Sequence, residues 1–126
     1  MAERNDRIAI YNLGILYWSG IGFKKDEKTA FNFLIQSAKL GYSKAQYEVG
    51  RMYLTGIGIQ QDYADAVLWL VISKKNGGTD AQRLISQIDI EVISEMTEVA
   101  ERCILSNYNY KSCGVAFGIV PNKSVK

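Results

Sequence analysis

The side chains best suited to catalysis in this chain are two aspartates and two cysteines. Asp26 and Asp62 could act as a general acid and base, and Cys103 and Cys113 could act as nucleophiles or metal ligands. The chain contains no histidine, so the commonest general base and the usual partner of a nucleophilic cysteine are missing. The cysteines also lack the CxxC spacing of a zinc site. The sequence therefore predicts no enzyme, no metal and no other cofactor.

Two Gly-Ile-Gly segments, at residues 20–22 and 56–58, raise the question of a phosphate-binding loop. Neither is followed by the Lys-Ser/Thr pair of a P-loop, and each is too short for a dinucleotide-binding fingerprint. Glycine can instead adopt the positive φ that ends a helix. Asp26 and Asp62 each follow four residues after such a segment, where a carboxylate can accept hydrogen bonds from a new helix. We therefore interpret both aspartates as N-caps.

The sequence repeats itself with a period of 36 residues. The matching pairs include Ala9/Ala45, Tyr11/Tyr47, Gly14/Gly50, Tyr17/Tyr53, Asp26/Asp62, Ala30/Ala66, Leu34/Leu70 and Gly41/Gly77. A period of this size is typical of repeat proteins, whose units bury their apolar faces only by stacking. Apolar spacings of three and four predict two helices in each copy, over about 6–18 and 27–40, then 43–54 and 63–75. The predicted core stripe of the first helix is Ala9, Leu13, Leu16 and Tyr17.

The pattern A-x-x-x-L-G-x-x-Y-x-x-G-x-G, followed by D-x-x-x-A-x-x-[W/F]-L, resembles the Sel1-like repeats, which are relatives of the tetratricopeptide repeat. Two copies cover about residues 9–81, with departures at Val49 and Lys74. The resemblance implies a protein-binding helical solenoid that is usually not catalytic. We therefore expect one all-α domain over residues 1–126, a right-handed α-α solenoid of helix hairpins. Its parts are repeat 1 at about 9–44, repeat 2 at about 45–80, a degenerate capping pair at about 81–107 and a C-terminal tail at 108–126.

A second face of the first helix is unusually apolar for a surface. At about 100° per residue, Tyr11, Ile15 and Trp18 lie together opposite the predicted core stripe, where a lone amphipathic helix would be polar. In the tetratricopeptide relatives the matching positions line a concave groove, so the resemblance implies a protein-binding surface. The predicted binding residues are Tyr11, Ile15 and Trp18 in the first copy, Tyr47, Arg51 and Leu54 in the second, and Arg83 and Gln87 in the third. The alternative is that the same chain covers this face.

Charge and hydropathy narrow the choice of partner and compartment. Lysine and arginine number 15 against 13 acidic residues, a net charge of +2 that is too small to favour nucleic acid. No apolar run approaches the roughly 18 residues of a membrane span, and the N-terminus lacks a secretory signal, so we expect a cytoplasmic protein with no membrane contact. In the cytoplasm we expect Cys103 and Cys113 to be reduced residues of the core, although some secreted members of the family carry disulfides.

These observations predict a module that binds one cognate protein through its concave face. Glu91, Glu95 and Glu98 form an acidic stripe that could dock a basic partner or could simply face solvent. A stripe of this kind on a minimal solenoid suggests a cytoplasmic inhibitor, for example an immunity protein that neutralises a bacterial toxin. The alternatives are a scaffold or adaptor, or a self-associating subunit that uses the apolar residues 114–120. The oligomeric state is left open.

Overall fold

The computed structural model describes residues 2–20 and 24–107, and the side chains of the first helix from residue 6 onward. The predicted tail, residues 108–126, lies outside the described residues. Within these ranges the chain forms helices and no strand, which confirms the predicted all-α fold. The helices are α1 (Ala2–Ser19), α2 (Glu27–Lys39), α3 (Ser43–Thr55), α4 (Tyr63–Lys75), α5 (Asp80–Ile85) and α6 (Ile90–Leu105).

The helices stack in chain order. Helix α1 packs against α2, and α3 packs against α4, so each period of the sequence forms one helix hairpin. The hairpins join through contacts between α2 and α3, and α4 is covered on its other side by α5 and α6. Glycines at the ends of α1 and α3 allow the chain to turn, since Gly20 has a φ of 79° and Gly56 a φ of 78°.

Close approach within each hairpin depends on a glycine in its first helix. A Cβ atom placed on Gly14 would lie 2.8 Å from the Cγ atom of Leu34, and one on Gly50 would lie 2.9 Å from that of Leu70. Both leucines are buried, at 1% and 0% exposure, so they have little room to move. The two helices of each hairpin therefore touch at the same point of the period.

A serine near the end of the second helix ties each hairpin together at its other end. The Ser37 hydroxyl donates a 2.7 Å hydrogen bond to the carbonyl of Arg7, and the Ser73 hydroxyl donates one of 2.8 Å to the carbonyl of Ser43. Both serines are fully buried, so these bonds satisfy polar groups that would otherwise lose their contact with water. The two bonds are related by the sequence period.

Gln46 links the two hairpins. Its side chain is fully buried in α3, where its amide nitrogen donates to the carbonyl of Ala38 at 3.0 Å. Its amide oxygen accepts a 3.0 Å hydrogen bond from the side chain of Asn76. The first repeat has Ile10 and Leu40 at the positions of Gln46 and Asn76, so this polar link occurs once.

The predicted core stripe of α1 is buried less than expected. Ala9 and Leu13 are exposed, and Leu16 and Tyr17 are half-buried. The equivalent residues of α3 are covered by α2, with Ala45 and Val49 at 0% and Met52 at 3% exposure. In the part of the chain that the structure describes, no helix precedes α1, and this is why the same pattern is open there.

Two helices lie where the degenerate cap is predicted. Ala81 and Ile85, at the repeat positions of Ala45 and Val49, are buried against the core, so the repeat register continues into α5. Helix α5 has only six residues, and the chain then turns into α6, which packs directly on α4. Met96, Val99, Ala100 and Cys103 form the buried face of α6.

We expect Gly50→Ala to lower the free energy of unfolding by about 1–3 kcal/mol, because the new methyl group would overlap a fully buried leucine. At an open helical site the same exchange would raise stability by up to ~1 kcal/mol, so the sign of the change is informative. Urea denaturation followed by far-UV circular dichroism measures it. Asn12→Ala, on the exposed side of α1, is the control and should stay within about 0.5 kcal/mol. A stabilised Gly50→Ala protein would contradict the close helix contact.

Candidate functional site

Asp26 and Asp62, the two candidate acid/base groups, begin helices. Asp26 accepts hydrogen bonds from the Thr29 N–H at 3.1 Å and from the Thr29 hydroxyl at 2.8 Å. Asp62 accepts one from the N–H of Asp65 at 3.1 Å. The bond from the Thr29 N–H is the main cause that lowers the pKa of Asp26. The predicted N-cap role of both aspartates is confirmed, and each serves a different helix.

The sequence analysis missed a buried carboxyl group, Asp65, which stands where the first repeat has Thr29. Asp65 is 3% exposed, and its Oδ1 atom accepts no hydrogen bond from the described residues. Burial, and then the nearby Asp62 carboxylate, raise the pKa of Asp65 to about 8. When protonated, Asp65 can donate a hydrogen bond to Asp62, as the Thr29 hydroxyl does to Asp26. The sequence signal for this buried acid was that Asp65 takes the repeat position that Thr29 has in the first copy.

The predicted binding residues of α1 are half-buried. Tyr11, Ile15 and Trp18 all pack against the hydrophobic core. Tyr11 meets the ring of Tyr42 edge-on, with 5.1 Å between the ring centres. The Nζ atom of Lys25 lies 5.8 Å from the centre of the Trp18 ring. Part of the surface of these side chains is therefore used within the chain, and the remainder faces outward.

Helix α3 supplies an arginine held by its neighbours. The Arg51 guanidinium donates a 3.0 Å hydrogen bond to Glu48 and lies 5.7 Å from the centre of the Tyr47 ring. The Arg51 side chain is nevertheless 46% exposed, so some of its N–H donors face outward. Burial is the main cause that raises the pKa of Glu48. Tyr47 and Leu54, the other predicted residues of α3, are half-buried.

Tyr11 of α1 is close enough to α3 and α5 for their charges to act on it. Burial raises the pKa of Tyr11, and so do the charges of Glu48, Tyr42 and Asp80. We use the name first-helix surface for the eight predicted binding residues, which are Tyr11, Ile15, Trp18, Tyr47, Arg51, Leu54, Arg83 and Gln87. That they form one binding surface stays a prediction. Arg83 is exposed on α5, and Gln87 is exposed in the turn that follows it.

The acidic stripe lies at the C-terminal end of the stack. Glu91, Glu95 and Glu98 are all exposed on α6, whose opposite side packs on α4. Glu101, one turn beyond Glu98, forms an ion pair with Lys75, with 3.1 Å between Oε2 and Nζ. The stripe and the first-helix surface belong to different helices.

Cys103 corrects one interpretation of the sequence. It is fully buried in α6 and disulfide-bonded, not a reduced packing residue. The other cysteine of the chain, Cys113, lies outside the described residues. Two cysteines do not by themselves reveal the compartment, so the preference for thiols depended on the expected cytoplasmic location. Disulfides persist mainly in oxidising compartments, and the cytoplasmic location stays a prediction that this bond disfavours.

A cleft of about 870 Å³ opens beside the start of α2, where Lys25 and Lys28 flank Asp26 and Glu27, so neither charge dominates it. Among the described residues no group of three or more potential metal ligands comes together. None of the described helices is both long and apolar enough to cross a membrane.

We expect the buried Asp65 to make the protein less stable as the pH rises from about 4 to about 8. The unfolded chain releases this proton near pH ~4, whereas the folded protein keeps it up to about pH 8. Folding therefore binds a proton across this window, and the free energy of unfolding falls by about 1.4 kcal/mol per pH unit from this group. Urea denaturation at several pH values measures the slope.

Asp65→Thr, which installs the residue of the first repeat, should remove most of that slope. Thr can still donate a hydrogen bond to the Asp62 cap, so the helix start is kept. Glu98→Gln, at an exposed acid of α6, is the control and should leave the slope unchanged. Equal slopes for Asp65→Thr and the unmodified protein would mean that Asp65 is ionised in the folded state.

Comparisons with known proteins place the fold in a family. The Sel1 repeat matches residues 7–42 and 43–77. A Sel1 repeat protein from Oxalobacter formigenes has a crystal structure with a TM-score of 0.64 and 32% identity, over 65% of this chain and 62% of that one. A second similar structure is that of c5321, a protective antigen present in uropathogenic Escherichia coli strains that displays an SLR fold. Its TM-score is 0.68 at 24% identity, over 95% of this chain and 27% of that one.

The chain thus spans less than two thirds of the length of either of these structures. No curated protein matches it. Sel1 repeats are in general protein–protein interaction modules, and they are typically not catalytic. The two matched segments cover more than half of the sequence and coincide with the two helix hairpins. The chain therefore belongs to the Sel1 repeat family.

Proposed function

We propose that this protein is a non-catalytic module that binds one cognate protein through the first-helix surface. The observation that carries the proposal is the arrangement around Arg51, whose guanidinium is held by Glu48 and Tyr47 while nearly half of the side chain stays accessible. Arginine and aromatic side chains dominate the binding energy of protein interfaces. A fixed guanidinium also loses little conformational entropy when it binds a partner.

The size of the surface supports a single partner. The first-helix surface consists of eight side chains on α1, α3, α5 and the turn after α5. A standard protein interface covers about 800 Å² on each side and uses about 20–30 residues, which is more than these eight. Two partners bound there at once would overlap.

A narrower form of the proposal is an inhibitor, such as an immunity protein that neutralises a basic bacterial toxin. It is supported by the exposed stripe of Glu91, Glu95 and Glu98, since complementary charge speeds and orients association. An adaptor is the alternative, because the stripe and the first-helix surface lie on different helices and could bind different proteins. The two differ in whether both surfaces serve the same partner.

We expect the triple variant Arg51→Ala, Arg83→Ala and Gln87→Ala to lose the partner. These three side chains are exposed, whereas Tyr11 and Trp18 also pack against the core, so the triple variant should keep its stability. Affinity capture from the source organism, followed by calorimetric titration of the purified partner, should show binding at least about tenfold weaker. Arg102→Ala, an exposed arginine on α6, is the matched control. Undiminished affinity in the triple variant would assign binding to another surface.

A second prediction separates inhibitor from adaptor. If one basic partner uses both surfaces, changing Glu91, Glu95 and Glu98 to Gln should weaken its binding, and changing them to Lys should weaken it further. The affinity of the unmodified protein should also fall as salt is added, because the attraction is screened. Calorimetry at two salt concentrations measures both effects. Loss of a different partner from the one lost by the Arg51 variant would favour the adaptor.

A further inference from the structure

One face of α1 has the side chains of a helix interface, but no helix of the described residues lies on it. We name this the N-terminal face; it consists of Ala9, Leu13 and Leu16. One sequence period later, the same positions of α3 are Ala45, Val49 and Met52. The repeat thus contains its own comparison between a covered and an uncovered copy of one surface.

In the covered copy, α2 lies on α3. Ala45 and Val49 are fully buried and Met52 is 3% exposed. The ring of Tyr53 meets the ring of Phe31 edge-on, with 5.5 Å between the ring centres. The interface therefore combines small, aliphatic and aromatic contacts along one helix.

In the uncovered copy, α2 lies on a different side of α1. It contacts α1 at Gly14, which faces Leu34, and at Tyr17, whose ring stacks on Phe33 at 5.6 Å. Leu13 is left 37% exposed and Ala9 is exposed as well. Nothing in the described chain fills the place that α2 takes on α3.

We infer that the N-terminal face docks an amphipathic helix of a partner protein, with the side chains that α2 presents to α3. That stripe is Phe31, Ile35 and Ala38: an aromatic residue, a β-branched residue four positions later and a small residue three positions after that. The docking site is the continuation of the α2–α3 interface by one repeat period.

A second copy of this chain fits the face poorly. Head-to-tail stacking would bring α6 onto it, and the outer side of α6 carries Glu91, Glu95 and Glu98, whose burial without partners is costly. A symmetric pairing of two α1 helices would bury only the exposed part of a few side chains, far less than the roughly 800 Å² per subunit of a stable interface. A single helix from another protein needs less area, at the cost of a weak affinity of about 10–100 μM.

The test uses the chain's own α2 sequence as the probe. A fluorescent peptide of residues 24–42 is stapled between its exposed positions 32 and 36 to hold it helical, and is titrated with the full chain while anisotropy is read. We expect binding with a dissociation constant of about 10–100 μM. A peptide with Ile35→Asp should bind at least about tenfold more weakly. Absence of binding at millimolar protein would overturn the inference.

Matched variants of the protein locate the peptide. Leu13→Asp should weaken peptide binding at least about tenfold, whereas Leu105→Asp, at a leucine 86% exposed on α6, should leave it unchanged. Ala9→Glu is a second variant of the face, in case Leu13→Asp lowers helicity. Equal peptide binding by both face variants and the unmodified protein would contradict the site. Sedimentation of the chain alone completes the test, because a dimer lost in Leu13→Asp would make a second copy the occupant and overturn the proposal.

Discussion

The contact between a glycine of one helix and a buried leucine of the next fixes the geometry of each hairpin. Gly14 against Leu34 and Gly50 against Leu70 bring the helix pairs together at one point of the period. Buried serines fasten the opposite ends through hydrogen bonds of equal span. The two hairpins therefore share their main internal contacts. Differences in burial between them therefore come from what lies next to each hairpin.

The second hairpin has neighbours on both sides, and its sequence reflects this. Helix α4 is buried from Asp65 to Ser73, and the hairpin carries polar groups that the first lacks. Gln46 links α3 to the ends of α2 and α4, where the first repeat has an isoleucine. Asp65 replaces a threonine and is left as a buried acid beside a helix cap. Buried polar groups of this kind favour one arrangement of neighbours over others, because misplacing them leaves them without partners.

The two ends of the array differ in chemistry. Helix α6 closes one end with Met96, Val99 and Ala100 turned inward and carboxylates turned outward, as expected of a cap in contact with water. Helix α1 keeps the apolar pattern of an internal repeat, and Ala9 and Leu13 are open. The predicted first-helix surface involves α1, α3 and α5, and its tyrosines and Trp18 pack partly against the core. These three sets of residues differ in composition.

The sequence by itself determined the helices and their pairing. The 36-residue period, the glycines that end α1 and α3 and the two capping aspartates are local signals, and α1 to α4 begin and end within a few residues of the predicted bounds. Helical spacing also led to the prediction of the first-helix surface, because it sets which side chains of one helix point the same way. Whether that surface binds a partner stays a prediction.

Only the tertiary structure decided how much of each face is covered. Ala9 and Ala45 occupy the same position of the 36-residue period, yet one is exposed and the other buried, because burial depends on a helix from elsewhere in the chain. The raised pKa of Asp65 has the same origin, since burial and the Asp62 charge act through space. The disulfide at Cys103 was likewise open in the sequence, where spacing alone allows cysteines to be paired or free. Local patterns fix helices, whereas exposure, ionisation and bonding depend on neighbours that a repeat pattern does not specify.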